Sequence, residues 1–121
     1  MVDGVTNAFA GLGTWFAADR FGVRPDMIGS AKGVTSGYLP LGGVVFSRRI
    51  AEPFWERGGN TFRHGPTYSA HPTCCAAAMA NLDIIRRENL LQRGMELEGE
   101  ISSALHGLAR GLVHGADIVA V

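Results

Sequence analysis

The segment DMIGSAKGVTSGYLPLGGVVFS, residues 26–47, indicates the fold class because it holds two short apolar runs separated by a glycine-rich loop. MIGSA at residues 27–31 is short and bounded by turn-forming residues, which predicts a strand. GVVFS at residues 43–47 is β-branched and aromatic, which predicts a second strand. The loop between them is too rich in glycine to sustain a helix. Lys32 is therefore predicted to lie where the first strand ends and the loop begins.

Helices are predicted on both sides of this segment, and the long ones come late in the chain. Alanine-rich and periodically apolar stretches carry these predictions, with Gly and Pro marking their ends. The helices are expected at residues 14–21, at residues 48–58 with Pro53 kinking or delaying the helix, from Pro72 to residue 89, and at residues 89–109. GADIVAV at residues 115–121 predicts a last strand. Early strands and late helices predict an α/β fold.

The length predicts a single domain, residues 1–121, and the balanced charge makes small molecules and protein partners the expected ligands. Lys plus Arg equals Asp plus Glu at 11 each and no charged block stands out, so nucleic acid and anionic membrane are not expected as partners. No apolar run approaches the roughly 20 residues of a membrane span, and the first residues lack the pattern of a signal peptide. A cytoplasmic location is expected. The 17 glycines, about double the usual share of roughly 7%, suggest tight turns and close backbone approaches.

The two cysteines, Cys74 and Cys75, are adjacent and offer no disulfide framework. His71 lies three and four residues before them, so one helical face would offer a metal two or three ligands. Small thiols packed in an alanine-rich helix explain the same residues without a metal. We therefore predict no metal site.

Lys32 is the sharpest chemical feature of the sequence. It carries an amine out of an apolar strand into a loop whose neighbouring residues are small. Partial desolvation there would favour the neutral amine, which can attack an aldehyde. A lysine beside a glycine is more often a solvated loop residue, so the residue alone leaves both interpretations open.

Several irregular motifs occur together in one order. Asp3 with Val5 comes first, and three longer segments follow: LGTWFAADRFGVRPD at residues 12–26, AKGVTSGYLPLGGVVFS at residues 31–47 and FRHGPTYSAHPTCCAAAMANLDII at residues 62–85. Together they resemble successive segments of the class-III pyridoxal-phosphate-dependent aminotransferases, the ω-transaminase group, through about residue 110. The resemblance implies the central part of the fold-type-I large domain, truncated at both ends, with short strands followed by two long helices.

The resemblance also implies roles for four residues. Lys32 takes the place of the lysine that forms an imine with pyridoxal 5'-phosphate. Asp3 takes that of the aspartate that pairs with the pyridine nitrogen, and Val5 that of the apolar residue packed on the ring. Thr67 resembles the threonine that binds the phosphate of the cofactor held by a neighbouring subunit, which implies a homo-oligomer. An exposed acid, ordinary strand packing and a turn residue are the alternatives for Asp3, Val5 and Thr67.

Aromatic side chains and one histidine offer a substrate pocket or core packing, and the sequence does not choose between them. These residues are Trp15, Tyr38, Trp55, His64 and Tyr68.

The implied activity is transfer of an amino group between an amine or ω-amino acid and a ketone, aldehyde or 2-oxo acid. A non-catalytic fragment that oligomerises but binds cofactor poorly is the alternative, and a racemase or decarboxylase on the same fold is a third. In the stretch where the family has Asp-Glu, an apolar pair and a Thr-Gly-Phe-Gly-Arg run, only Asp3, Val5, Phe9 and the later Gly13 keep the family's register. The family's phosphate-binding glycine/serine loop, its stacking aromatic residue and its substrate-binding arginine have no counterpart here. Either several copies complete the pocket, or catalysis is weak or absent.

Overall fold

A computed structural model describes residues 1–56 and 58–112. The chain forms a small sheet followed by helices, with a 3₁₀ turn at Lys32–Thr35 between the second and third strands. In chain order the elements are β1 (Val2–Asp3), α1 (Ala17–Arg20), β2 (Met27–Ser30), β3 (Gly43–Phe46), α2 (Arg48–Trp55), α3 (Pro72–Arg87) and α4 (Leu90–Leu112). The predicted strands and helices are confirmed within a few residues at their ends. The strand predicted at residues 115–121 lies outside the described residues.

The three strands lie in the order β1-β2-β3, so β2 is central. β1 pairs with β2 in parallel, with Asp3 opposite Gly29, and β2 pairs with β3 antiparallel, with Ser30 opposite Gly43. The Gly4 N–H extends the first pairing by donating to the Gly29 carbonyl at 2.8 Å. A Cβ at Gly4 would lie 2.8 Å from that same oxygen, so the close approach requires glycine there.

Asp26 anchors the start of β2, the end of the strand that lies away from Lys32. Its Oδ1 accepts hydrogen bonds from Ser47 Oγ at 3.0 Å and Arg49 Nε at 3.2 Å, and the Arg49 guanidinium also pairs with its second oxygen. The Arg49 hydrogen bond, followed by that from Ser47, lowers the pKa of Asp26 below its ordinary 3.8. This cluster therefore joins the start of β2 to the start of α2.

Local residues explain where the helices begin and end. Pro72 occupies the first turn of α3, where its missing N–H is tolerated, and Arg86 and Arg87 stand in the last turn, where positive charge suits the helix dipole. Asn89 takes a left-handed φ of 52° and separates α3 from α4. Pro53 does not delay α2, which begins at Arg48 and ends two residues beyond the proline.

The buried side chains of the described residues are mostly small. α3 packs against the Lys32–Thr35 turn and against α4, and the Arg20 guanidinium joins α1 to α4 through an ion pair with Glu98 at 2.7 Å. The buried apolar residues are Ala8, Ala17, Ala18, Ala51, Cys74, Ala78 and Ile85. Large apolar residues on β3 and α2 are exposed, among them Val45, Phe46, Phe54 and Trp55. No helix among the described residues is both long enough and apolar enough to cross a membrane.

Candidate functional site

The candidate site lies at the carboxyl ends of the two parallel strands. Asp3 is the last residue of β1, and Lys32 follows β2 after a single residue, Ala31. Because β1 and β2 run in parallel, both side chains leave the sheet at the same edge. In open α/β sheets this is the edge at which ligands bind.

The Lys32 amine is held by the loop that follows β1. Its Nζ donates a hydrogen bond to Thr6 Oγ1 at 2.9 Å. Lys32 is exposed in this chain, so the desolvation expected from its small neighbours is not provided by the described residues. Its backbone has a positive φ of 37°, an unfavourable conformation for a residue with a side chain. Such a conformation costs about 1–3 kcal/mol and persists only where the surroundings impose it.

Helix α3 and the buried Thr35 supply the support that the Lys32–Thr35 turn needs. Asn81 Nδ2 donates to the Gly33 carbonyl at 2.9 Å and to the Val34 carbonyl at 3.1 Å. Thr35 is 2% exposed, and its Oγ1 donates to the Leu39 carbonyl at 2.6 Å. Each of these bonds contributes about 0.5–1.5 kcal/mol, so together they offset the cost of a left-handed Lys32.

The loop after β1 also packs directly on this turn. A Cβ at Gly33 would lie 3.0 Å from the Ala8 carbonyl oxygen and 3.2 Å from Phe9 Cβ. A larger residue at position 33 would therefore push the two loops apart. The contact keeps the Thr6 hydroxyl within reach of Lys32.

Asp3 is exposed and its carboxylate is oriented by its own loop. Its Oδ1 accepts the Val5 N–H at 2.8 Å, a local bond that aspartate makes readily in turns. Val5 is half-buried. The structure thus brings Asp3 and Lys32 to one edge of the sheet, and Val5 lies in the same loop as Thr6, the hydrogen-bond partner of Lys32.

Thr67 is not part of this group within one chain. It is exposed in a turn of the segment between α2 and α3. No hydrogen bond found within residues 1–56 and 58–112 joins it to Asp3, Val5 or Lys32. Its predicted role, which places it against a neighbouring subunit's cofactor, stays a prediction.

The candidate aromatic residues separate into different environments. Tyr38 lines an open cavity of about 690 Å³ that is also lined by Lys32 and residues 39–42. The Arg86 guanidinium lies over Trp15 instead, with its Cζ 5.5 Å from the Trp15 ring centroid. Trp55 packs against Phe46, and their ring centroids are 6.1 Å apart. Tyr38 therefore stands beside the candidate lysine.

Thr6 and Asn81 were not identified as site residues from the sequence. Asn81 had a signal, because it falls on the same face of α3 as the buried Cys74, Ala78 and Ile85, at spacings of three and four residues. A polar side chain on a buried helix face needs a partner, and here the partner is the Lys32–Thr35 turn. No pattern in the sequence pointed to Thr6, since it is one polar residue in a loop.

The cysteines of α3 lie close together without forming a larger cluster. Cys74 is buried and Cys75 half-buried, and both are free thiols. In the part of the chain that the structure describes, no three His, Cys, Asp or Glu side chains are grouped to hold a metal ion.

Comparison with known proteins decides the family. The family model described as "Aminotransferase class-III" matches residues 1–116. The chain belongs to the class-III aminotransferases. The family resemblance inferred from the loop motifs is thereby confirmed.

Relatives and solved structures of this family agree on sequence and fold. The β-alanine–pyruvate aminotransferase of Pseudomonas aeruginosa is 46% identical over 110 residues, which are 88% of this class-III chain and 25% of the relative. A transaminase structure from the marine bacterium Virgibacillus matches with a TM-score of 0.91 at 39% identity, over 99% of this chain and 27% of that one.

A second structure in the family was solved with ligands. The taurine:2-oxoglutarate aminotransferase of Bifidobacterium kashiwanohense, in complex with PLP and glutamate, matches with a TM-score of 0.85 at 38% identity, over 92% of this chain and 24% of that one. The expected fold class, an excerpt of the transaminase α/β domain, is thus confirmed. The chain spans about a quarter of the length of the proteins it matches.

Proposed function

We propose that this chain carries the lysine of a pyridoxal-phosphate-dependent transaminase. The observation that carries the proposal is the placement of the Lys32 amine at the carboxyl edge of β1 and β2, hydrogen-bonded to Thr6 in the loop that Asp3 begins. One sheet edge thus offers an amine for the cofactor's aldehyde and a carboxylate for its pyridine nitrogen. Family membership supports the same assignment.

The residues at this edge fit the ring of pyridoxal phosphate. The cofactor supplies an aldehyde that reacts with amines and a ring that withdraws electrons from the substrate carbon. Within residues 1–56 and 58–112 the exposed Lys32 makes no ion pair, and one oxygen of the Asp3 carboxylate accepts the Val5 N–H while the other does not. The Thr67 hydroxyl would hydrogen-bond to the phosphate of a cofactor held by another copy of the chain.

Each residue then has a distinct task. Lys32 would hold the cofactor through its amine and, once released by substrate, move a proton between the substrate carbon and the cofactor carbon. Asp3 would keep the pyridine nitrogen protonated, and Val5 would pack on the ring face. Thr6 would accept a hydrogen bond from the Lys32 amine and so set its direction.

The proposed substrates are an amine or ω-amino acid as donor and a 2-oxo acid as acceptor. The name of the Pseudomonas aeruginosa relative specifies β-alanine and pyruvate, and that of the Bifidobacterium structure specifies taurine and 2-oxoglutarate. Both donors carry a primary amine at the end of a short chain that ends in an acid. The open cavity beside Lys32 and Tyr38 offers space for such a chain.

We also propose that the chain forms a homo-oligomer and is located in the cytoplasm. Exposed large apolar residues on β3 and α2 favour contact with further protein surface, and the free thiols of α3 suit a reducing compartment. The oligomer is tested by light scattering after size exclusion. A monodisperse monomer at assay concentration would remove the role of a neighbouring subunit's Thr67.

The activity is tested by incubating the purified protein with pyridoxal phosphate, β-alanine and pyruvate and measuring alanine formed. Free pyridoxal phosphate transaminates slowly unaided, so the comparison is with Lys32→Ala at equal cofactor. We expect turnover in the wild type well above that of the variant. Equal rates would leave the non-catalytic alternative as the better account.

A further inference from the structure

Asn81 reaches from the middle of α3 to the turn that begins with Lys32. Its single side-chain nitrogen lies 2.9 Å from the Gly33 carbonyl oxygen and 3.1 Å from the Val34 carbonyl oxygen. The two acceptors are adjacent in the chain, and the amide group has two N–H donors to offer them. One side chain thus fixes two consecutive peptide groups, those that follow Gly33 and Val34.

The turn depends on such an outside contact. Lys32 and Ser36 are both left-handed, with φ of 37° and 53°, and neither is a glycine. The Gly33 carbonyl accepts the Ser36 N–H at 3.2 Å as well as the Asn81 amide. The Val34 carbonyl, among the described residues, accepts from Asn81 and from no backbone N–H outside the turn. Without Asn81 the turn would keep its internal bonds and its packing on the loop after β1, and would lose the two hydrogen bonds from α3 that oppose relaxation of Lys32.

We infer that Asn81 is a positioning residue for Lys32. By holding the Gly33 and Val34 carbonyls, its amide keeps the backbone of the turn in the conformation that directs Lys32 Nζ to Thr6. The side chain at position 81 must donate hydrogen bonds to the turn, because the Gly33 and Val34 atoms that it contacts are both carbonyl oxygens. The consequence for cofactor attachment rests on the proposed function, whereas the ordering of the turn does not.

Asn81→Asp is the sharpest variant because it keeps the side-chain shape and removes both donors at neutral pH. Asn81→Gln retains the amide on a longer side chain and serves as the rescue variant. Asn89→Asp is the matched control, since it makes the same change at an exposed residue between α3 and α4. Thermal unfolding followed by circular dichroism establishes that each variant is folded at the assay temperature.

Two measurements distinguish positioning from a merely structural tie. Hydrogen exchange without cofactor should be faster at the amides of residues 33–37 in Asn81→Asp and unchanged there in Asn89→Asp. Attachment of pyridoxal phosphate to the Lys32 peptide, made permanent by borohydride, should fall about tenfold in Asn81→Asp. Asn81→Gln should retain more attachment than Asn81→Asp.

The pH profile of Asn81→Asp adds a signature that loss of packing would not give. As the pH falls from about 8 to about 5, a half-buried aspartate begins to protonate and regains one O–H donor. Attachment relative to wild type should therefore rise at low pH in Asn81→Asp and stay flat in Asn81→Ala.

The outcomes separate the two proposals. Wild-type exchange at residues 33–37 together with wild-type attachment in folded Asn81→Asp would overturn the positioning role, as would equal losses in the Gln and Asp variants. If Asn81→Asp does not fold, Asn81→Gln and Asn81→Ala carry the same comparison. A wild-type protein that never attaches cofactor at Lys32 would contradict the proposed function, and hydrogen exchange would still decide the role of Asn81.

Discussion

Lys32 Nζ lies 2.9 Å from Thr6 Oγ1, although the two residues are 26 positions apart in the chain. The bond joins the loop after β1 to the turn after β2, so it links the Asp3 side of the candidate site to the lysine. Thr6 thereby acts on the lysine without belonging to any motif visible in the sequence.

Replacing Thr6 by valine keeps the side-chain shape and removes the acceptor. Without Thr6 the amine is no longer directed to the sheet edge and must be ordered when it attaches, at a cost of about 0.5–1.5 kcal/mol, so we expect attachment of pyridoxal phosphate to Lys32 to fall about two- to tenfold. The measurement is a titration of the cofactor followed by absorbance. Thr6→Ser keeps the hydroxyl and should stay close to wild type. Indistinguishable affinities in all three proteins would show that the bond does not direct the lysine.

Thr67 gives a prediction that depends on a second copy of the chain. Thr67→Ala should weaken cofactor affinity by about 1.5 to 3 kcal/mol, because it removes a hydrogen bond to a charged phosphate. Attachment at Lys32 should still occur at high cofactor concentration. Thr61→Ala, in the same exposed segment, is the matched control and should bind as wild type does. An unchanged affinity in Thr67→Ala would identify Thr67 as a turn residue only.

Two glycine substitutions should shift stability in opposite directions. In Gly4→Ala the new Cβ would meet the Gly29 carbonyl oxygen at 2.8 Å, and relieving this clash should cost about 1–3 kcal/mol. Gly99 stands in α4, and a Cβ added there would have nothing within 4 Å, so Gly99→Ala should stabilise the protein by roughly 0.5–1 kcal/mol. Urea unfolding measures both. A Gly4→Ala protein as stable as wild type would argue against the close pairing of β1 and β2.

Asp26 makes the stability depend on pH in acid. Its hydrogen bonds from Arg49 and Ser47 hold its pKa below the ordinary 3.8, so the folded state keeps the charge to lower pH than the unfolded state does. The stabilisation is fully present above 3.8 and is lost as the pH falls from there through the lowered pKa of the folded state. Asp26→Asn should therefore be less stable than wild type at neutral pH, and the gap should close in acid. Thermal unfolding across this range, with the exposed Asp83→Asn as control, measures the gap, and a gap constant with pH would contradict the argument.

The sequence predicted the elements whose cause is local. Strand β2 follows from a short apolar run, and α3 from an alanine-rich stretch that opens with Pro72. The position of Lys32 just after a strand was predicted because a strand end next to a glycine-rich loop is also a local pattern. These predictions needed no knowledge of what lies across the fold.

What the sequence missed depends on contacts between distant segments. The bonds from Asn81 to Gly33 and from Lys32 to Thr6 exist only once α3 and the loop after β1 pack on the turn. The left-handed backbone of Lys32 has the same origin, since no residue type at that position requires it. Exposure of Lys32 was one of the two interpretations that the sequence left open, and the desolvation that the other requires needs protein surface that the described residues do not contribute.

The last prediction concerns Lys32 as the point of cofactor attachment. Borohydride treatment in the presence of pyridoxal phosphate should fix one cofactor per chain on the peptide that contains Lys32, because its amine is held at the sheet edge beside the Asp3 loop. Lys32→Ala should lose this adduct, which peptide mass spectrometry measures. Lys32 is the one lysine in the sequence, so the amino terminus is the other amine that can react with the aldehyde and serves as the internal control. A label concentrated at the amino terminus, or a Lys32→Ala protein with wild-type turnover, would show that Lys32 is a solvated loop residue and that this part of the fold does not hold the cofactor.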